Sequence, residues 1–204
     1  EPTQADGQIA KAQSFDGIDD YIDCGTSDNL NPHTSNWTTE AWVKVDALTA
    51  SVWGGSSNYG FVAVGKRGVV VDNSLTLLYH YGTSGTSNAK AAFMWDGPNQ
   101  AAGAESSSIN PYQWHHLVGV RDGGNLYVYV DGVQYGSNNF KLVGSHISST
   151  TDIDSDSSLK IATHGAWNHY CDGLVDEVRI SNTARSSAWI KASYNSLNDT
   201  LIKY

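Results

Sequence analysis

Two aspartate-rich segments near opposite ends of the chain decide the fold. The first reads Phe15-Asp16-Gly17-Ile18-Asp19-Asp20-Tyr21-Ile22-Asp23, and the second reads Cys171-Asp172-Gly173-Leu174-Val175-Asp176-Glu177-Val178-Arg179-Ile180. Each has a turn at a glycine and an alternating run that is typical of a strand. If the two strands pair, the ends of the domain close against each other.

The carboxylates beside these turns suit a hard cation such as calcium, which takes many oxygen ligands. The sequence therefore predicts a Ca²⁺ site in which backbone carbonyl groups near Gly17 complete the shell. The predicted ligands are Asp16, Asp19, Asp20 and Asp176. The alternative is that these aspartates only shape the turns, because Asp bonds its own backbone there.

The two cysteines, Cys24 and Cys171, each lie beside one of the aspartate-rich segments. If those strands are neighbours, the pair can form a disulfide, which by loop closure would stabilise the fold by about 4–5 kcal/mol. A disulfide would imply export to an oxidising compartment. The alternative is that both cysteines are small buried apolar residues in adjacent strands.

The composition limits the classes of function. The chain has 204 residues and a formal net charge of −9. This charge argues against a nucleic-acid partner, which needs a basic footprint, and against an anionic membrane surface. No apolar run approaches the ~20 residues that span a bilayer, so we expect no membrane insertion. The chain begins at Glu1 without a signal-peptide pattern, and we interpret it as a mature domain or an excised piece of a longer protein. We expect that protein to be secreted or at the cell surface.

Period-two alternation dominates the chain. In Thr38–Val45, for example, Thr39, Ala41, Val43 and Val45 share one face, and Asp131-Gly132 predicts a tight hairpin after Leu126–Val130. Many short strands with turn signals between them predict an all-β sandwich in a single domain, residues 1–204. One short C-terminal helix is predicted from the capping residues at Ser186 to Tyr194. Long polar loops are expected at 53–59, 82–88, 97–108 and 136–158.

These segments, with Trp37–Lys44, Trp114–Val120 and Leu126–Gly132, resemble the laminin-G-like group of the concanavalin A-like lectin/glucanase superfamily. The five motifs occur in order over nearly the whole chain. The resemblance implies a jelly roll of two curved antiparallel sheets and a structural calcium near the two termini, and it supports Asp16 and Asp176 most as ligands. It often implies sugar or protein binding, but the superfamily spans lectins, hydrolases, lyases and adhesion modules. The fold therefore does not settle the function.

The carboxylates argue against catalysis. A glycosidase needs two carboxylates about 5–10 Å apart, which a strand reading Glu-x-Asp-x-x-Glu would supply. No such segment occurs, and besides Glu1 the only glutamates are Glu40, Glu105 and Glu177, none of which has an acidic partner at strand spacing. The sequence also has no Gln-Ile-His or Gln-Val-His run of a lyase, no His-Glu-x-x-His zinc motif and no Gly-x-Ser-x-Gly elbow.

The aromatic content favours carbohydrate binding. Seven tryptophans and eleven tyrosines are available, and such rings cover sugar faces while polar neighbours bond the hydroxyl groups. The candidate ligand-binding residues are Trp53, Tyr59, Trp95, Asp96, Asn99, Arg121, Trp167, Asn168 and His169. The alternative is that the loop aromatics only pin their loops.

We therefore expect a non-catalytic, lectin-like module that binds a polysaccharide or glycan and is stabilised by calcium. The first alternative is a protein–protein or cell-adhesion module that contacts another surface protein, and the second is a structural spacer. A glycoside hydrolase or polysaccharide lyase ranks last.

Overall fold

The computed structural model describes residues 1–47, 50–51, 59–67, 74–80, 89–97, 100–143, 145–163 and 170–198. Within these ranges the chain forms two antiparallel β-sheets that pack face to face, with one helix on the outside. The predicted all-β sandwich with a short C-terminal helix is confirmed.

The first sheet has seven strands in the spatial order β1-β2-β15-β4-β10-β11-β12. Its strands are β1 (Thr3–Asp6), β2 (Lys11–Asp16), β4 (Trp37–Ala47), β10 (His115–Asp122), β11 (Asn125–Val130), β12 (Val133–Ser137) and β15 (Asp172–Ser181).

The second sheet has eight strands in the order β13-β9-β8-β7-β6-β14-β3, with β5 paired to β6 beside this path. Its strands are β3 (Ile22–Asp23), β5 (Ala50–Ser51), β6 (Tyr59–Gly65), β7 (Ser74–His80), β8 (Ala89–Gly97), β9 (Gln100–Ile109), β13 (Phe140–Val143) and β14 (Lys160–Ile161).

The two aspartate-rich segments come together in the first sheet. Strand β15 lies between β2 and β4, and its register with β2 places Asp172 opposite Asp16 and Val175 opposite Gln13. After Asp16 the chain turns out of this sheet, because β3 pairs with β14 in the second sheet. The first aspartate-rich segment therefore connects the two sheets at one edge of the sandwich.

The core lies between the sheets and follows the alternation of the strands. On β4, Ala41, Val43 and Val45 are buried in it, as their shared face predicts. The opposite face of β4 is also buried, since Trp42 is 2% exposed. A strand that is buried on both faces needs a covering layer on its outer side, and the helix supplies part of it.

That helix, α1 (Ser187–Leu197), lies against the outer face of the seven-stranded sheet. The Ser186 side chain accepts a hydrogen bond from the Trp189 N–H at 3.2 Å, which is the usual N-cap arrangement. Ile190 is fully buried and packs against Val118 and Val120. The predicted helix is thus confirmed.

The expected loop at 97–108 is wrong, because most of it is strand β9, which pairs with β8. Its sequence, QAAGAESSSI, is poor in the β-branched and aromatic residues that mark strands. The small residues are required by packing: a Cβ on Gly103 would lie 2.2 Å from the Phe93 carbonyl oxygen. Strands β12 and β13 likewise occupy part of the expected loop at 136–158.

No helix in the described ranges is long and apolar enough to cross a membrane.

Candidate functional site

The turn between β2 and β3, residues 16–20, gathers three aspartates and is called the acidic turn below. Gly17 has a φ of 73°, a left-handed conformation that glycine adopts without strain. Asp16 Oδ1 accepts the Ile18 N–H at 2.9 Å, and Asp20 Oδ2 accepts the Asp16 N–H at 3.2 Å. Carboxylate oxygens of Asp16, Asp19 and Asp20 all lie within 4.8 Å of one another. Three predicted calcium ligands therefore come together.

Asp20 is the buried member of the acidic turn, with 5% of its surface exposed, whereas Asp16 and Asp19 are exposed. Its Oδ1 lies 2.7 Å from the amino nitrogen of Glu1. Hydrogen bonding to Asp20 and the charge of its carboxylate raise the pKa of this amino group. The Asp20 carboxylate therefore faces a position that a positive charge can fill.

A fourth carboxylate, Asp172, lies opposite Asp16 in the β2–β15 register. The Gly17 N–H donates to the Cys171 carbonyl at 3.1 Å, which fixes the acidic turn against the start of β15. Burial raises the pKa of Asp172, and the negative charges of Asp46 and Asp16 raise it further. The sequence analysis did not name Asp172, although the Asp172-Gly173 pair repeats the Asp16-Gly17 pair.

Asp176, the fourth predicted ligand, lies elsewhere. It is four residues beyond Asp172 on the strand, which is about 13 Å. Its Oδ2 accepts the Ile9 N–H at 2.9 Å, and a Cβ on Gly7 would lie 2.5 Å from the same oxygen. Asp176 therefore holds the β1–β2 turn, and the structure does not bring it to the acidic turn.

The predicted disulfide does not form in the structure, where both cysteines are free thiols. The Cys24 N–H bonds to Leu159, just before β14, whereas the Cys171 N–H bonds to Ala162, just after β14, and its thiol contacts Val62 of β6. Cys171 is fully buried, and burial raises the pKa of its thiol. Of the two alternatives the structure shows the unbridged one, because the two cysteines bond to opposite ends of β14.

Three predicted ligand-binding residues are internal. Trp95 is 4% exposed and belongs to the core, and Asp96 is ion-paired with Arg67 at 2.8 Å. Arg121 is fully buried and donates to the carbonyl oxygens of His33 and Thr151. These side chains therefore join segments of the chain, which corrects the prediction that they contact a ligand.

The remaining predicted ligand-binding residues are not placed. Trp53, Asn99, Trp167, Asn168 and His169 lie outside the described residues, and only the backbone of Tyr59, at the start of β6, is described.

A stacked pair of tyrosines, which sequence reasoning missed, adjoins the acidic turn. Tyr21 directly follows Asp20, and its ring centre lies 6.1 Å from that of Tyr170 with 26° between the planes. The Lys160 ammonium lies 4.5 Å from the Tyr21 ring centre. We call these three residues the tyrosine stack. Tyr21 is 37% exposed and the other two are half-buried, so the stack presents ring surface and a cation to solvent.

A second group of possible metal ligands lies at another turn, where donor atoms of Asp28, His33 and Asp154 are within 4.8 Å of one another. The His33 ring bonds to Asp28 at 3.0 Å and to Asp152 at 3.2 Å. Burial alone would lower the pKa of His33, but these two carboxylates raise it overall. The cluster thus already has its own positive partner when His33 is protonated.

Three glutamates, Glu40, Glu105 and Glu177, all have basic partners. Glu40 is 2% exposed and lies 3.0 Å from His116 Nε2, and the His116 ring stacks on Trp42 and on Tyr194. Glu105 is paired with Lys90, and Glu177 with Arg179. The three carboxylates serve as partners within the fold.

Two antiparallel sheets in face-to-face packing, with the last strand inserted between β2 and β4, define a jelly roll of the lectin-like class. The chain belongs to the Laminin_G_3 family of the concanavalin A-like lectin/glucanases superfamily, whose family model matches residues 16–191. This confirms the laminin-G-like resemblance of the sequence motifs.

Solved structures show the same fold at low identity. Domain 4 of AbnA, an extracellular arabinanase of Geobacillus stearothermophilus, in complex with arabinotriose, is 20% identical with a TM-score of 0.64, over 94% of this chain and 80% of that one. Mouse laminin α1 domains LG4-5 are 12% identical with a TM-score of 0.55, over 89% and 42%. Trypanosoma rangeli sialidase is 18% identical with a TM-score of 0.56, over 91% and 27%. No curated protein matches the chain.

Proposed function

We propose that this protein is a non-catalytic carbohydrate-binding module of a secreted or cell-surface protein, stabilised by calcium. The observation that carries the proposal is a contrast between two sets of groups. Glu40, Glu105 and Glu177 are held in ion pairs. The acidic turn and the tyrosine stack instead lie next to each other and present Asp16, Asp19 and Tyr21 to solvent. The exposed groups suit binding, and the paired groups do not suit acid–base chemistry.

The ion pairs support the absence of catalysis for a physical reason. Glycoside hydrolysis needs one carboxylic acid that gives a proton and one carboxylate that attacks or activates water, on either side of the substrate. Glu40 is out of reach of a substrate because it is 2% exposed. Glu105 and Glu177 are each engaged by a cationic neighbour, Lys90 and Arg179 respectively.

Calcium fits the acidic turn by the chemistry of its donors. Asp16, Asp19 and Asp20 supply carboxylate oxygens within 4.8 Å of one another, and Asp172 adds negative charge from across the β2–β15 pair. A hard divalent cation with six to eight oxygen ligands, including backbone carbonyls, neutralises such a cluster. Since the turn connects the two sheets, the residues that hold the ion would also join the sheets.

The similarity to solved structures supports a binding role without proving it. Domain 4 of the arabinanase is a domain of similar length whose structure contains a bound arabinotriose. Because the sialidase shares the fold as well, the fold alone is compatible with a catalytic chain. The paired glutamates of this protein are the feature that favours the non-catalytic assignment.

An adhesion role is the second candidate, and the edge strand β12 favours it. Val133 and Tyr135 on this strand are 53% and 46% exposed. Exposed apolar residues on a sheet edge are a template for contact with another protein.

A glycan and polysaccharide array with the purified domain tests the proposal, run once with calcium and once with chelator. Binding to a defined glycan, without hydrolysis of it, is the expected result. If the domain binds the glycan with and without calcium but loses binding at a lower temperature in chelator, the ion is structural. A folded sample that binds nothing on the array under either condition would overturn the proposal in favour of adhesion.

A further inference from the structure

We propose that the tyrosine stack is the glycan-contact surface and that it selects neutral over acidic polysaccharides. This inference rests on the carbohydrate-binding function proposed above and deepens it. It assigns Tyr21 and Tyr170 as the rings that cover a sugar face, and Lys160 as the donor to sugar oxygens.

The ring surface is the first argument. Tyr21 and Tyr170 are inclined by 26° with centres 6.1 Å apart, so together they form a wider apolar surface than one ring. Sugars bind where an apolar ring face lies beside polar groups that bond their hydroxyls. The tyrosine stack combines both, because the Lys160 ammonium lies 4.5 Å from the centre of the Tyr21 ring.

The second argument concerns the partners of the Lys160 ammonium. Within the described part of the chain its ammonium forms no ion pair, although the protein carries a net charge of −9. It lies on the Tyr21 ring instead, and it faces Asp23 across the β14–β3 pair without a salt bridge. The three donors of this ammonium therefore remain available to ligand oxygens.

The rigidity of the position is the third argument. Tyr21 lies directly before β3, Lys160 is the first residue of β14, and Tyr170 lies two residues before β15. Backbone hydrogen bonds join these segments, since the Cys24 N–H bonds to Leu159 at 2.8 Å and the Cys171 N–H to Ala162 at 3.1 Å. Groups held in this way lose little freedom when a ligand binds.

The net charge of the protein explains the selection. The protein carries a net charge of −9, and one divalent cation bound at the acidic turn would still leave it negative. A uronate or sulfated chain would be repelled by this charge, whereas neutral hydroxyl groups accept from Lys160 without that repulsion.

Affinity gel electrophoresis and calorimetry test this surface with soluble polysaccharides. The neutral probes are arabinan, galactomannan and β-glucan, and the acidic probes are polygalacturonate and chondroitin sulfate. Tyr21→Ala should weaken binding of the neutral probe by about tenfold or more, as truncation of a central aromatic contact does. Lys160→Gln should weaken it by about threefold to tenfold.

Tyr135→Ala is the matched control, because Tyr135 is 46% exposed but lies on strand β12, outside the stack. Its affinity should stay within about twofold of the wild-type value. If Tyr21→Ala fails to fold, Tyr21→Leu keeps apolar bulk without the ring. Nitration of the wild-type protein gives a further readout: bound glycan should protect Tyr21 and Tyr170 but not Tyr135.

The outcomes separate the two proposals. If the wild type binds a neutral glycan but the folded Tyr21 and Lys160 variants bind equally well, the tyrosine stack is wrong and the binding function stands. Tighter binding of polygalacturonate than of every neutral probe would overturn the selection. No binding by the wild type to any probe would overturn the carbohydrate-binding function itself.

Discussion

The acidic turn and the buried Glu40–His116 pair hold carboxylates in opposite situations. In the acidic turn, oxygens of three aspartates approach within 4.8 Å of one another, and two of the three residues are exposed. Glu40 is instead 2% exposed and lies 3.0 Å from a single imidazole. A carboxylate with an internal partner supports the fold, whereas like-charged neighbours at the surface need a partner from outside.

The largest expected effect comes from the buried pair. Glu40→Ala should lower the free energy of unfolding by about 3 kcal/mol, because it leaves the buried His116 Nε2 without its partner and opens a void. Chemical denaturation monitored by tryptophan fluorescence measures the change. Asp6→Ala, which breaks the exposed 2.5 Å contact with Lys11, is the control and should leave the melting temperature unchanged. A Glu40 variant as stable as this control would make the pair irrelevant to stability.

The next largest expected effect on the free energy of unfolding is that of calcium binding at the acidic turn. Calcium at 100 times its dissociation constant would raise the free energy of unfolding by about 2.7 kcal/mol. Thermal melting with calcium and with chelator measures this increment. Asp20→Asn should abolish most of it, because Asp20 is the buried carboxylate of the acidic turn.

Absence of any calcium increment in the wild type would contradict the proposed ion site. Magnesium at the same concentration is the matched ionic control, since its smaller shell suits a flexible turn less well.

A pair of substitutions on one strand sharpens the position of the site. Asp172→Asn should reduce the calcium increment and, in chelator, slightly raise the melting temperature, because it removes repulsion between Asp172 and the carboxylates of Asp16 and Asp46. Asp176→Asn should keep the full calcium increment, since Asp176 holds the Ile9 N–H. If Asp176→Asn instead loses the calcium increment and Asp172→Asn keeps it, Asp176 is a calcium ligand, as the sequence predicts.

The smallest expected effect is a pH dependence at His115, whose ring nitrogen Nδ1 lies 2.7 Å from Asp131. Burial alone would lower the pKa of His115, but the hydrogen bond and charge of Asp131 raise it overall. The protonated pair therefore stabilises the fold fully below the ordinary histidine pKa of about 6.5, and this contribution is lost as pH rises through the higher folded pKa.

The unfolding free energy should thus fall by about 0.5 kcal/mol between pH 6 and pH 8 through this pair. Asp131→Asn keeps a side-chain oxygen for the His116 N–H and should flatten that part of the profile. A wild-type profile no steeper than that of the variant would remove this role from His115.

Much of the candidate site follows from local chemistry, and some of it does not. The proximity of Asp16, Asp19 and Asp20 was predictable because five consecutive residues in one tight turn must lie close together. The choice between Asp172 and Asp176 was not, because it depends on the register of two strands more than 150 positions apart. Tyr170 and Lys160 were missed for the same reason, since they reach Tyr21 only through that pairing and through β14.

The sequence by itself determined the sandwich and the outer helix, because alternation and turn residues act over a few positions, and the order of its motifs indicated the family. Only the tertiary structure decided that strand β9 forms from small residues, that Arg121 and Trp95 are internal, and that Cys24 and Cys171 lie apart. Burial and register are properties of distant segments in contact. A residue type states what a side chain can do, and its neighbours in space decide which of those things it does.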